Sequence, residues 1–205
     1  MNKKKIKIAI TGNIGSGKST FSNIIESAGY KVIYADNVAK SLLENHNHIK
    51  KKIIASFGQD SYINNKPNKK FLADTVFQDE NKLSMLESIL HPEVIKLSIE
   101  MMEEHLENHD VIFLEAALIY EADMEKYFDY VVLITADKET RFNRKKLVED
   151  YTREEFDKRE NLQIPQDEKR KRADFIFENN SDINSLKQKA NLLFSILGFT
   201  LPNNV

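Results

Sequence analysis

The chain has 205 residues, with 30 Lys and Arg against 32 Asp and Glu, a net charge of -2 and no cysteine. This length predicts one domain with a substantial core, and a hydrophobic fraction of 41% excludes a disordered chain. The balanced charge argues against nucleic-acid binding, and no apolar run is long enough to predict a membrane span. Without cysteine, disulfides and thiolate catalysis are excluded, and we expect a reducing, cytoplasmic environment.

The first part of the chain predicts strands that alternate with helices. Ile6–Thr11 is typical of a buried strand rich in β-branched residues. An amphipathic helix is predicted over 18–28, ending at Gly29, and a second short strand over 31–34. A further helix over 36–44 is predicted to be capped by Asp36 or its neighbour.

The middle of the chain predicts a helical insertion without strands. Helical patterns cover 49–57, 72–77, 83–90 and 93–106, and a loop over 58–70 separates the first two. The pair His91-Pro92 predicts a helix start, because proline is tolerated in a first turn.

The remaining segments complete an α/β pattern. Two continuous apolar runs, 110–115 and Tyr130–Thr135, predict strands buried on both faces. A weaker strand is predicted over 175–177 and a closing helix over 182–197. Strands that alternate with helices predict a parallel sheet with right-handed crossovers.

One segment, 138–172, is unusually charged, with 21 charged residues in 35, of which twelve are basic. Two interpretations stay open for it. The segment could be a solvated pair of helices, or a mobile lid that closes over phosphates.

The residues from Gly12 to Ser19 match G-x-x-x-x-G-K-[ST], the pattern of a phosphate-binding P-loop. A strand precedes the motif and a helix follows it, as the chemistry requires. The glycines let successive backbone N–H groups point at phosphate oxygens, and the helix N-terminus adds positive potential. Lys18 can reach the β- and γ-phosphates, and the Ser19 hydroxyl can hold Mg²⁺. The alternative is a glycine turn without a ligand.

The P-loop therefore predicts an ATP site formed by consecutive residues: Asn13, Ile14, Gly15, Ser16, Gly17, Lys18, Ser19 and Thr20. The D-x-x-G and N-K-x-D patterns of GTPases are absent from the sequence. A small-molecule kinase fits the short chain and its basic segment better, and such an enzyme needs a residue that orients the acceptor hydroxyl.

Three further positions are candidates for this chemistry. Asp36 follows the second strand, so its carboxylate could accept the proton of the acceptor hydroxyl, or it could cap a helix. Glu115 ends a strand and could order Mg²⁺-bound water, or could be an exposed strand end. Arg141 and Arg144 could bridge nucleotide phosphates, or could lie on a solvated helix face.

With these residues in view, the chain resembles dephospho-coenzyme A kinases over about residues 6–197. The segment TGNIGSGKST resembles that family's usual TGGIGSGKST, with Asn13 in place of a glycine. VIYADNVAK resembles its second-strand motif, and VFQDENKLSMLESILHP resembles the specific pattern VF(N/Q)D followed by L-E-x-I-x-HP. LEAALIYE resembles a segment that usually ends PLLFE. Near the C-terminal end, Gln163, Ala173-Asp174 and Asn179 match family positions.

The resemblance implies a P-loop three-layer α/β sandwich with a five-stranded parallel sheet. Its nucleotide-binding core would comprise 1–36, 110–137 and 173–205, with a helical acceptor domain at 37–109 and a helical lid at 138–172. The implied reaction is phosphorylation of the ribose 3′-hydroxyl of dephospho-coenzyme A by ATP, the last step of coenzyme A biosynthesis.

The resemblance also implies roles for individual residues. Lys18, Asp36 and Arg144 would be catalytic, with Asp36 as the base and Arg144 as the lid arginine. Ser19 and Glu115 would serve Mg²⁺. The substrate would be bound by four side chains: Asp36, Lys69, His91 and Glu121.

Besides Asn13, five positions depart from the family pattern in ways that bear on the site: Tyr34 replaces an aspartate, Lys40 and Lys69 replace arginines, Ala117 replaces a proline, and Val148 replaces a second lid arginine. A lysine cannot repeat the bidentate contact of an arginine. Two alternatives therefore stay open: another small-molecule or nucleoside monophosphate kinase, and a catalytically silent nucleotide-binding regulatory protein. The oligomeric state is not predicted.

Overall fold

The structure is a computed structural model that describes residues 5–199, except for the side chains of Phe77 and Gln78. The ends of the predicted core, 1–4 and 200–205, lie outside the described residues, as do the Phe and Gln side chains of the VFQD motif. Within the described part of the chain, no helix has the length and apolar character needed to cross a membrane.

The described elements follow the predicted alternation closely. The strands are β1 (Ile6–Thr11), β2 (Val32–Tyr34), β3 (Tyr62–Ile63), β4 (Lys66–Pro67), β5 (Val111–Glu115), β6 (Tyr130–Thr135) and β7 (Phe175–Glu178). The helices are α1 (Lys18–Ser27), α2 (Ala35–Asn45), α3 (Asn47–Phe57), α4 (Lys69–Gln78), α5 (Glu80–Asn108), α6 (Lys138–Glu149), α7 (Arg153–Asn161), α8 (Gln166–Arg170) and α9 (Ile183–Leu197).

Five strands form one sheet in the order β2-β5-β1-β6-β7. The ladders of β1 with β5, β1 with β6 and β6 with β7 are parallel. Central-strand residues such as Ile10, Phe113 and Leu133 are fully buried, as the continuous apolar runs predict. Because β1 lies at the centre, the loop that follows Thr11 starts from the middle of the sheet edge, where phosphate sites form in such folds.

The chain divides into two compact units, residues 1–33 with 102–205, and residues 34–101. The first unit contains nearly the whole sheet and the P-loop. Its helices α1 and α9 pack against each other, and the Phe21 and Phe177 ring centroids lie 5.7 Å apart. The second unit contains α2, α3 and α4, whose apolar faces include the fully buried Ile49 and Ile53.

The predicted helix start at His91-Pro92 is wrong, because α5 is a single helix with Pro92 inside it. An internal proline removes one backbone hydrogen bond and costs about 3 kcal/mol. The residues that follow Pro92 explain why the helix continues: Val94, Ser98, Met102 and Leu106 are buried at intervals of four. Burial of this stripe outweighs the local cost of the proline.

The predicted loop over 58–70 contains a short hairpin, so the expectation of no strand in this region is also wrong. Tyr62 pairs with Pro67 and Ile63 with Lys66. Asn64 and Asn65 between them have φ angles of 49° and 68°, the left-handed pair that a two-residue hairpin requires. Strands of two residues are too short to produce an alternating hydrophobic pattern.

Two local interpretations are also corrected. Helix α2 begins at Ala35 with Tyr34 at its N-cap, so Asp36 lies in the first turn and is not the cap. The segment 138–172 forms three helices, α6, α7 and α8, where a pair was one expectation. Helix α7 begins with a capping box, in which Thr152 and Glu155 satisfy each other's backbone N–H groups.

Candidate active site

The P-loop connects β1 to α1 through glycines. Any larger residue at these positions would force the backbone or its neighbours to shift. Gly17 is the N-cap of α1 with φ 94°, and Gly15 has φ 76°, both in the left-handed region. A Cβ at Gly15 would lie 2.4 Å from the backbone oxygen of Arg141. The loop is therefore packed tightly against the start of α6, which fixes the direction of its amides.

Lys18 and Ser19 begin α1 and meet the carboxylate of Glu115, the last residue of β5. Ser19 Oγ donates a hydrogen bond to Glu115 Oε2 at 3.1 Å, and Lys18 Nζ lies 4.0 Å from Glu115 Oε1. Because β5 neighbours β1 in the sheet, the sequence-distant Glu115 reaches the P-loop. The structure thus brings together the three residues predicted for phosphate and Mg²⁺. Thr20, also predicted, is exposed in the first turn of α1.

The backbone oxygen of Ser16 is held by two side chains. Asn179 Nδ2 donates to it at 2.9 Å and Arg144 Nη1 at 3.4 Å, while Arg144 Nη2 donates to the Asn179 backbone oxygen at 2.7 Å. Burial lowers the pKa of Arg144 from its usual value. Arg144 therefore lies beside the P-loop, with its guanidinium fixed by two carbonyl groups.

Arg141, the other arginine considered for phosphate binding, is used differently. It is 3% exposed and makes a two-pronged ion pair with Glu160 of α7, at 2.5 Å and 2.6 Å. Its Nε donates to Ala136 O at 3.0 Å and its Nη1 to Ile14 O at 3.2 Å. Four of its contacts are thus made inside the protein, which favours a structural role that joins α6, α7 and the P-loop.

Asn13 and Ile14 contact the loop between α7 and α8. Asn13 Nδ2 donates to Ile164 O at 3.2 Å, and the Ile14 N–H donates to Gln163 Oε1 at 2.8 Å. Ser16, also predicted to bind ATP, is buried, and its hydroxyl has no partner within the part of the chain that the structure describes.

Glu121, predicted from the resemblance to bind substrate, is engaged by the protein itself. Its Oε1 accepts the Ile164 N–H at 2.9 Å and lies 2.8 Å from Lys169 Nζ. Lys169 is fully buried, and its pKa is lowered by burial, although Glu121 acts in the opposite direction. The neighbouring Tyr120 is also buried, which raises its pKa to about 12.

The other residues predicted for the substrate belong to the second unit. Asp36 is exposed in the first turn of α2. Lys69, the first residue of α4, forms an ion pair with Glu44 at 2.9 Å, and this contact lowers the pKa of Glu44. His91 is half-buried within α5.

Four side chains that hold the site received no role from the sequence: Glu160, Gln163, Lys169 and Asn179. Each contacts a partner at least 19 residues away in the chain, and no local period connects the two. Gln163 and Asn179 were recognisable only as matches to family positions. Glu160 and Lys169 lie among many similar charges, so composition alone could not single them out.

The side chains around the P-loop offer oxygen ligands to a metal ion. Within residues 5–199, no group of three or more His, Asp or Glu side chains could hold a metal by itself. The Ser19 hydroxyl and the Glu115 carboxylate are oxygen ligands, the type that Mg²⁺ takes when nucleotide phosphates and water complete its shell. These residues therefore fit Mg²⁺ bound together with a nucleotide.

Comparison with known proteins agrees with this geometry. Residues 6–185 match the family model described as dephospho-CoA kinase. The dephospho-CoA kinase of Chlamydia caviae is 34% identical over 94% of this chain and 96% of its own length. That of Thermus thermophilus is 36% identical over 91% of this chain and 89% of its own.

A solved structure supports the same assignment. The dephospho-CoA kinase from Campylobacter jejuni superposes with a TM-score of 0.71 and 27% identity, over 93% of this chain and 96% of that one. The predicted P-loop α/β fold with a five-stranded sheet is confirmed. The chain belongs to the dephospho-CoA kinase family.

Proposed function

We propose that this chain transfers the γ-phosphoryl group of ATP to the ribose 3′-hydroxyl of dephospho-coenzyme A, giving ADP and coenzyme A. The observation that carries the proposal is the convergence of Lys18 and Ser19 on Glu115 at the end of β5. Membership of the dephospho-CoA kinase family supplies the substrate. This reaction is the last step of coenzyme A biosynthesis.

The phosphates would be bound by the P-loop amides, the N-terminus of α1 and Lys18. Arg144 supports this site from α6, because its guanidinium lies against the Ser16 and Asn179 carbonyl groups. A cation held in this position can stabilise the charge that develops on the transferring phosphoryl group. The ATP-binding roles predicted for residues 15–20 belong to the same proposal, whereas the Asn13 side chain and the Ile14 N–H are engaged by Ile164 and Gln163.

Mg²⁺ would be held by the Ser19 hydroxyl, with Glu115 as its carboxylate partner directly or through water. When bound, the ion would neutralise charge on the nucleotide phosphates. The cytoplasmic location expected from the cysteine-free sequence stays a prediction.

The acceptor would be bound by the segment 37–109, with Asp36 as the general base. Its exposed carboxylate in the first turn of α2 is able to accept a proton from a hydroxyl group. Lys69 would leave its exposed partner Glu44 and bind the substrate instead. His91 would bind the substrate from α5. Glu121 is tied to Lys169 and Ile164, so we infer that it acts by holding this loop.

The segment 138–172 would act as the lid. Its outer surface is joined by exposed ion pairs, such as Lys138 with Asp157 at 2.7 Å. Such pairs contribute little to stability, whereas the buried Arg141–Glu160 pair joins α6 to α7, so the two helices would adjust their positions together when nucleotide binds. Closure would exclude water from the phosphates and limit wasteful hydrolysis.

The function is tested by measuring ADP and coenzyme A release from purified protein with ATP and Mg²⁺, with and without dephospho-coenzyme A. We expect strong stimulation by the acceptor and equal amounts of the two products. A lack of stimulation would contradict the proposal. In that event, a panel of nucleoside monophosphates separates another kinase, which turns one of them over, from a silent nucleotide-binding protein, which only binds ATP.

The role of Asp36 is tested by Asp36→Asn, which keeps the shape of the side chain and removes its basicity. We expect kcat to fall about 10²- to 10⁴-fold, while the Kd for ATP stays near its wild-type value. The neighbouring Asn37→Asp, also exposed in this turn, is the matched control. Loss of ATP affinity without a fall in kcat would show that Asp36 is not the base.

A further inference from the structure

The P-loop and the loop between α7 and α8 exchange hydrogen bonds in a reciprocal pattern. The side chain of Asn13 donates to the backbone of Ile164, and the backbone of Ile14 donates to the side chain of Gln163. Two consecutive residues of one loop thus bind two consecutive residues of the other, 149 and 151 positions away in the chain. We call these two hydrogen bonds the Asn13–Gln163 latch.

The far side of the latched loop is also held. The Ile164 N–H donates to Glu121 Oε1, and Lys169 Nζ lies 2.8 Å from the same oxygen and 3.3 Å from Ala117 O. Because Glu121 lies in the segment after β5 and Lys169 lies in α8, the loop is fixed between the P-loop and the segment after β5. Of the hydrogen bonds that hold this loop, only the one from the P-loop to Ile164 O depends on the Asn13 side chain.

The only hydrogen bond of the Asn13 side chain within the described residues is the one to Ile164. Asn13 is fully buried, and its Oδ1 has no hydrogen-bond partner within the described residues. The amide group therefore makes one hydrogen bond, to Ile164, in a place where a smaller side chain would leave the Ile164 carbonyl without this donor. Asn13 does not have a positive φ, so other residues fit its backbone.

The second bond of the latch uses a P-loop amide. The Ile14 N–H donates to Gln163 Oε1 and is therefore not free to bind a phosphate in this arrangement. The latch consequently fixes the C-terminal part of the charged segment 138–172, through Gln163 and Ile164. The N-terminal part, α6, is held separately by Arg141 and Arg144.

We propose that Asn13 is a positioning residue that acts through Gln163 and Ile164. It keeps the C-terminal part of the lid fixed on the P-loop, so that closure excludes water during phosphoryl transfer. This inference rests on the proposed function, because it assigns Asn13 a part in the same reaction. The Asn13 side chain acts on the lid rather than on the nucleotide.

The first test measures hydrogen exchange of the segment 162–168 without ligands, in wild type and in Asn13→Ala. We expect exchange to become about three- to tenfold faster in the variant, since one buried hydrogen bond is lost. The matched control is Asn184→Asp on the exposed side of α9, which should exchange as wild type does. Asn13→Gly is a second variant, which introduces the glycine that the family usually has at this position. It should behave as Asn13→Ala does.

The second test separates positioning from stability. Asn13→Ala should lower kcat about three- to tenfold, change the KM for ATP less than twofold, and raise the share of ATP hydrolysed without coenzyme A formation. Combining Asn13→Ala with Gln163→Ala should cost little more than either change alone, because both bonds hold one loop. Additive losses, or a lower Tm with unchanged coupling of ATP use to transfer, would overturn the proposal.

The two proposals can fail separately. If wild type shows no turnover with dephospho-coenzyme A while Asn13→Ala still speeds exchange, the proposed function fails and the latch remains. If turnover is normal and exchange of 162–168 is the same in both proteins, the latch is wrong and the function remains.

Discussion

The surroundings of the P-loop and the outer surface of α6 and α7 use the same kinds of charged side chain in opposite ways. Next to the P-loop, Arg141 is 3% exposed and Lys169 is fully buried, and each is bound on several sides. On the outer surface, Arg153 bonds to Glu139 and Asp157 in contact with solvent. Charge density therefore marks the segment, whereas burial decides which charges hold the site.

Removing one arginine from each region tests this difference most directly. Arg141→Ala should lower the free energy of unfolding by about 3–5 kcal/mol, because it leaves the partly buried Glu160 carboxylate without its partner. Arg153→Ala should leave the midpoint of denaturation close to that of wild type. Chemical denaturation of both variants is the measurement. Equal losses would mean that burial does not separate the two regions.

Lys18 is a further charge at the P-loop, and the proposed function gives it a part in phosphoryl transfer rather than in holding the fold. Lys18→Ala should lower kcat about a hundred- to thousandfold, by removing a cation from the transferring phosphoryl group. Its contact with Glu115 is long, at 4.0 Å, so the denaturation midpoint should change little. The exposed Lys187→Ala on α9 is the control. A normal rate for Lys18→Ala would contradict the P-loop assignment.

Much of this arrangement could be predicted from the sequence. The strand, glycine loop and helix from Ile6 to Ser27 carry local signals, namely a buried run, the spacing of Gly12, Gly15 and Gly17, and an amphipathic period. The approach of Glu115 to Ser19 also follows from position, because both lie at the same edge of a parallel sheet.

The remainder could not be predicted, for physical reasons. The pairing of Arg141 with Glu160 and of Lys169 with Glu121 depends on how helices pack, and each residue has many equally charged neighbours in the sequence. The continuity of α5 through Pro92 depends on tertiary burial that overrides a local rule. The hairpin at Asn64 and Asn65 is too short to leave a pattern.

Acid should affect the outer surface of α6 and α7, which Asp157 joins to each other. The hydrogen bond from Lys138, and then that from Arg153, lowers the pKa of Asp157 below its ordinary 3.8. Its contribution is therefore present above pH 3.8 and lost as the pH falls through the lower folded value. Asp157→Asn should weaken this dependence, measured as hydrogen exchange of α7 against pH, whereas the exposed Asp150→Asn should not. An unchanged profile in Asp157→Asn would assign the acid response to other carboxylates.

The smallest effect is expected where this chain departs from its family on α6. Val148 is 77% exposed and lies four residues after Arg144, so both side chains share one helix face. Val148→Arg should leave kcat unchanged or raise it up to about threefold, because it adds a cation one turn from Arg144. Asn143→Arg adds the same charge about 100° away around the helix and should not raise the rate. Steady-state assays of both variants decide the matter, and a large loss of kcat in Val148→Arg alone would contradict the alignment of Val148 with the family's second lid arginine.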